Sequence, residues 1–136
     1  SAGSQVVIAS DPIHHPHIIE PMSAIIMSQG AYAKYAPELA SGGVLLIDEG
    51  LVQLDDDHRT DVTTYGVPAT EIAEKLGNNR AANTVMLGFW TAIVGVVSEQ
   101  AMREAVRESV PSKTVDVNMK AFDAGHQAGK TATSGV

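Results

Sequence analysis

The chain contains no cysteine. That absence removes disulfides, zinc–thiolate centres, iron–sulfur ligation and a thiol nucleophile from its 136 residues. Positive charge is also scarce: nine Lys and Arg stand against sixteen Asp and Glu, a net charge of −7. Binding to a phosphate backbone is therefore not its main work, and no nucleic-acid partner is expected. No run is long enough to cross a bilayer. The longest apolar stretch, Thr84–Val97, has about 14 residues where about 20 are needed. The opening Ser1-Ala2-Gly3-Ser4 carries neither the charged nor the apolar region of a signal peptide. Together these absences predict a cytoplasmic chain without membrane contact.

What is present is a globular composition, 44% hydrophobic and 18% charged, which excludes wholesale disorder. Three continuous apolar runs, Val6–Ala9, Ala24–Met27 and Val44–Ile47, read as strands, and Val62–Val67 as a fourth. Leu51-Val52 reads as a short edge element. Between the second and third runs, Tyr32, Tyr35, Ala36 and Leu39 recur at helical spacing. Apolar strands alternating with an amphipathic helix mark a parallel sheet covered on both faces.

Beyond Pro68 the pattern is helical. Ala69, Ile72, Ala73 and Leu76 form one apolar face. Ala81–Val97 is apolar nearly all round, with Gly88 and Gly95 inside it, which predicts a buried helix closely packed on a neighbour. Ser98 caps a further helix in which Glu99 and Arg103 pair at i,i+4, and Val115, Met119 and Phe122 mark the last one. The expected architecture is α/β, a Rossmann-like three-layer domain with a mostly parallel sheet and a helical C-terminal half. It occupies residues 1–128 as a single domain, with a flexible tail over 129–136.

Several motifs approach a chemistry without completing it. Gly125–Thr131 (GHQAGKT) has P-loop character, but three residues rather than four separate its glycines, and a helix precedes it. His14, His15 and His17 with Glu20 offer metal-ligand types without a helix to converge them, so no native metal is expected. Asp55-Asp56-Asp57 lacks the alternate spacing of a calcium loop and reads as a solvated acidic loop or a contact surface for a basic partner. No G-x-S-x-G elbow exposes a serine, and no catalytic residue is expected.

Two polar groups remain. Ser28, Gln29 and Gly30 sit where the second strand hands over to a helix, the place where open α/β sheets receive anions. They are the candidate anion or coenzyme A contact. Asn78, Asn79 and Asn83 gather where two helices meet and are candidate interface residues, Asn83 needing a hydrogen-bond partner on its apolar helix.

Five segments together resemble one family: Ala24–Tyr32 (AIIMSQGAY), Gly42–Asp48 (GGVLLID), Val67–Asn78 (VPATEIAEKLGN), Asn83–Gly88 (NTVMLG) and Asn118–Gly125 (NMKAFDAG). In this order they resemble the gamma subunit, or gamma domain, of 2-oxoacid:ferredoxin oxidoreductases of the pyruvate and 2-oxoglutarate type. The resemblance implies a non-catalytic subunit of an enzyme that oxidatively decarboxylates a 2-oxoacid with coenzyme A to an acyl-CoA and reduces ferredoxin. It implies alpha and beta subunits and a ferredoxin-like subunit as partners. Thiamine diphosphate, Mg, iron–sulfur clusters and coenzyme A would then be held through those other subunits. Such proteins open with a glycine-rich strand–turn–helix that this sequence does not show, so an unpaired sheet edge and self-association are expected. The other classes of reading are a stand-alone Rossmann-like small-molecule-binding or regulatory module, and a His-cluster metal enzyme.

Overall fold

The apolar runs of the N-terminal half form the sheet. The computed structural model describes residues 6–8, 22–55 and 58–134, the first of these as backbone alone. Strands β1 (Val6–Ile8), β2 (Ser23–Ile26), β3 (Val44–Asp48) and β4 (Thr63–Val67) lie side by side in chain order. β2 and β3 are parallel, Ala24 opposite Leu45 and Ile26 opposite Ile47, whereas β1 runs antiparallel to β2. The Thr63 amide donates to the Gly43 carbonyl at 2.9 Å, so β4 starts from the same end as β3. Every residue of β2, and all but the first of β3, is buried, as befits strands covered on both faces. The class is α/β with a mostly parallel sheet.

One face of that sheet is closed by α1 (Gln29–Tyr35). Ala24, Ile26, Leu45 and Ile47 pack with Ala31, Tyr32, Ala36, Leu39 and Val52 in a single apolar cluster. The helix is shorter than its periodicity through Leu39 predicts. Pro37 has no N–H to continue the ladder, and the chain tightens into a 3-10 turn over Ala36–Glu38. Leu51-Val52 forms no edge strand. The Asp48 carbonyl accepts from both the Leu51 and the Val52 amides, at 2.9 and 3.0 Å, and folds the segment into a turn.

The chain divides into two compact units, one closing at Gly66 and the other opening at Val67, where composition alone pointed to one domain. The second unit is helical: α2 (Ala69–Lys75), α3 (Ala82–Val94), α4 (Glu99–Ser109) and α5 (Val115–Ser134). α3 ends at Gly95, which is not interior to the helix but adopts φ +74° as its left-handed cap. α3 and α5 pack backbone against backbone. A Cβ on Gly88 would stand 2.1 Å from the Phe122 carbonyl oxygen, and one on Gly125 only 1.8 Å from that of Val85. Gly129 approaches the Phe89 carbonyl in the same way, so residues 129–134, expected as a loose tail, continue α5 instead.

Val106, Met119 and Phe122, with Leu87, Met102, Val110 and Val115, complete the packing of α4. Ser98 caps α4 as expected, its hydroxyl oxygen accepting the Ala101 N–H at 3.1 Å. Arg103 bonds Asp123 of α5 rather than Glu99, and Glu99 faces His126 at 3.9 Å. Inter-helix pairs thus take the place of the expected pair along one helix.

Candidate functional site

The turn from β2 into α1 carries the first set of candidate residues. Ser28 is extended (φ −152°, ψ 155°), and its hydroxyl oxygen accepts the Ala31 N–H at 3.0 Å, capping α1. Gln29 engages both ends of its amide: Nε2 donates to the Gln53 carbonyl at 2.9 Å, and Oε1 accepts the Gln53 N–H at 2.8 Å. That pair mimics a strand bridge and fastens the loop after β3 to the start of α1. Gly30 is exposed, and a Cβ there would meet nothing within 4 Å. Ser28, Gln29 and Gly30 therefore come together as expected, but the two polar side chains are bonded within the chain, and α1 has only seven residues.

Sequence reasoning passed over Asp48, which closes β3 fully buried, its carboxylate accepting the Gly50 N–H at 3.1 Å. Its only outward signal is an acid ending an apolar run.

Below this turn, α1 and the loop enclose a hollow of about 420 Å³ lined by Tyr32, Ala33, Ala36, Pro37, Asp55, His58 and Arg59. Arg59 is tied on every side. Its Nε and one Nη bind both Asp61 oxygens, at 2.8 and 2.6 Å, and the other Nη donates to the carbonyls of Ala36 and Leu39. The Arg59 guanidinium beside Asp61 holds that carboxyl down at about 2. Burial pushes the Tyr32 phenol up, and the Asp55 carboxylate next to it acts in the same direction. The His58 ring lies 2.9 Å, Nδ1 to oxygen, from the Asp55 carbonyl. Of the acidic triplet only Asp55 is among the described residues, and His14, His15, His17 and Glu20 lie outside them.

The candidate interface asparagines of the helical unit differ in setting. Asn78 caps the short turn into α3, its Oδ1 accepting the Arg80 N–H at 3.0 Å. Asn79 and Asn83 are exposed. Asn83, expected to bond either internally or across an interface, is exposed, and α3 buries its neighbour Thr84. The Thr84 hydroxyl donates to Asn118 Oδ1 at 2.6 Å, and Asn118 Nδ2 donates to the Thr114 carbonyl at 3.0 Å. Gly125–Thr131, the P-loop-like string, is helical throughout, so its amides belong to α5. Among the described residues no three His, Asp or Glu side chains gather to hold a metal ion.

Comparison with known proteins places this arrangement. The family model for pyruvate ferredoxin/flavodoxin oxidoreductase matches residues 1–128. The 2-oxoglutarate synthase subunit KorC of Methanocaldococcus jannaschii is 41% identical over 128 residues, covering 93% of this chain and 68% of that protein. The gamma subunit of a keto/oxoacid ferredoxin oxidoreductase from Geobacter sulfurreducens superposes with a TM-score of 0.75 at 34% identity, over 81% of this chain and 64% of that one. A 2-oxoglutarate:ferredoxin oxidoreductase from Magnetococcus marinus, solved with 2-oxoglutarate, coenzyme A and succinyl-CoA, shares the fold over 81% of this chain and 20% of its own. Its TM-score is 0.71 at 22% identity. This chain thus spans close to two-thirds of the length of its gamma-type and KorC relatives. With the family model covering nearly all of its residues and a KorC subunit so closely similar along them, the chain belongs to the pyruvate ferredoxin/flavodoxin oxidoreductase family.

Proposed function

We propose that this chain is the gamma-type subunit of a cytoplasmic 2-oxoacid:ferredoxin oxidoreductase that converts a 2-oxoacid and coenzyme A to an acyl-CoA and carbon dioxide and passes the electrons to ferredoxin. The observation that carries the reading is the 41% identity to a 2-oxoglutarate synthase subunit along 93% of the chain, which also makes 2-oxoglutarate the leading substrate. In this reading the gamma subunit supports the assembly and performs none of the bond changes itself. Thiamine diphosphate and Mg belong to the alpha and beta subunits, and the iron–sulfur clusters to a ferredoxin-like subunit. The absence of cysteine supports that division, since this chain has no thiolate for a cluster. The Gln29 amide is bonded at both ends to Gln53, which supports assigning coenzyme A to the other subunits.

The test is capture of the tagged chain from native lysate, with mass spectrometry of what accompanies it and a coenzyme A-dependent ferredoxin-reduction assay of the eluate. A thiamine-dependent alpha/beta pair, a ferredoxin-like subunit and turnover of 2-oxoglutarate above pyruvate are expected. A chain that elutes alone and folded would sink the subunit assignment and leave a stand-alone binding module.

A further inference from the structure

The hollow between α1 and the loop after β3 has a charge sign opposite to that of an anion site. Among its lining residues Arg59 is the one fixed cation, and its guanidinium is matched by the Asp61 carboxylate and two backbone carbonyls. Asp55, the one carboxylate of the lining, is hydrogen-bonded to the Tyr32 hydroxyl and sets the local sign. In sequence the segment is acidic, residues 48–61 holding six of the sixteen acids of the chain and one of its nine basic residues, although Asp48 is buried and Asp61 is paired with Arg59. The walls supply what a long basic side chain needs for its stem, an aromatic ring at Tyr32 and the apolar surfaces of Ala33, Ala36 and Pro37.

We propose that this hollow is a docking point for a cationic side chain, arginine or lysine, presented by a partner subunit. A polypeptide occupant is favoured over a free amine by what flanks the hollow. Leu54, next in sequence to Asp55 and 38% exposed, and Leu51, three residues before it and 47% exposed, give the same loop an apolar surface. A polypeptide partner can meet both features, a cation for the carboxylate and apolar side chains for the leucines. The assignment rests on the subunit reading and adds to it where the contact lies and which chemistry makes it.

The experiment compares wild type, Asp55→Asn, Asp55→Lys and the matched charge change Glu74→Lys on exposed α2, each assembled with the partner subunits captured by the wild-type chain. Partner affinity falls at least tenfold in Asp55→Lys and less in Asp55→Asn, while Glu74→Lys stays within twofold. Circular dichroism and melting of each variant separate this loss from misfolding. Equal capture by wild type and both Asp55 variants overturns the docking point and leaves the subunit reading standing. A wild-type chain that captures no partner overturns the subunit reading and the docking point together. Putrescine, titrated onto the wild-type chain alone, is the probe for a small amine. Micromolar binding that vanishes in Asp55→Lys would overturn the polypeptide assignment.

Discussion

Arg59 and Asp61 show how two residues, alternate in sequence, can organise a loop. Their fork-to-fork pair orients the guanidinium so that its remaining nitrogen reaches the Ala36 and Leu39 carbonyls where α1 and its 3-10 turn end. The Asp61 carboxyl, held at about 2, is ionised in the fold at pH values where it would begin to protonate in the unfolded chain. A depressed carboxylate contributes stability that is present above the unfolded value, near 4, and lost as pH falls towards the folded one. The loop is therefore expected to loosen from α1 between about pH 4 and pH 2. Side-chain carboxyl NMR should follow Asp61 to a midpoint about 2, and Asp61→Asn should abolish that pH dependence. None of this pairing is legible from sequence, because the partners that give Arg59 its role are main-chain carbonyls 20 and 23 positions away. Gln29 illustrates the same limit. Its type and position at the strand-to-helix turn were readable, but only the fold shows that Gln53 takes up both ends of its amide.

At the scale of elements, the helix pair α3–α5 is governed by what its glycines lack. Where carbonyl oxygens occupy the space of a Cβ, adding one methyl must push two backbones apart. Gly125→Ala is expected to cost about 3 kcal/mol, an overpacking penalty with no side-chain rotamer to absorb it. Gly30→Ala is the contrasting case, an exposed helical position with no atom within 4 Å of the new methyl. It should gain about 0.5 kcal/mol by restricting the unfolded chain. Chemical denaturation of the two variants measures both, and similar values for the pair would contradict the packing described. The glycine at 88 announced close packing in the sequence because it interrupts an apolar helix. Gly125 and Gly129 did not, since beside Lys130 and Thr131 they read as a phosphate loop or a tail. Strands were legible from their continuous apolar runs. Helix ends were less so: Pro37 shortened α1, and Gly95 ended α3 where the apolar character runs on to Val97.

For the whole molecule, five short segments in register pointed to the family, and the family match over residues 1–128 agrees with them. Charge was legible as a total but not as a distribution. The sum of −7 says little until the loop after β3 is seen to carry most of the excess beside exposed leucines. The division at Gly66 was likewise hidden, because it falls inside a segment that reads as one strand as far as Val67. It bears on how the protein opens in time. A seam in which carbonyl oxygens rest directly on glycine backbone leaves no channel for solvent, so the amides of Val85–Phe89 and Phe122–Gly129 can exchange with deuterium only when the two helices separate as a whole. The seven-residue α1, whose ends are held by surface groups such as Gln29 and Arg59, has a cheaper route through local fraying. Exchange mass spectrometry should find the slowest amides in the second half of the chain.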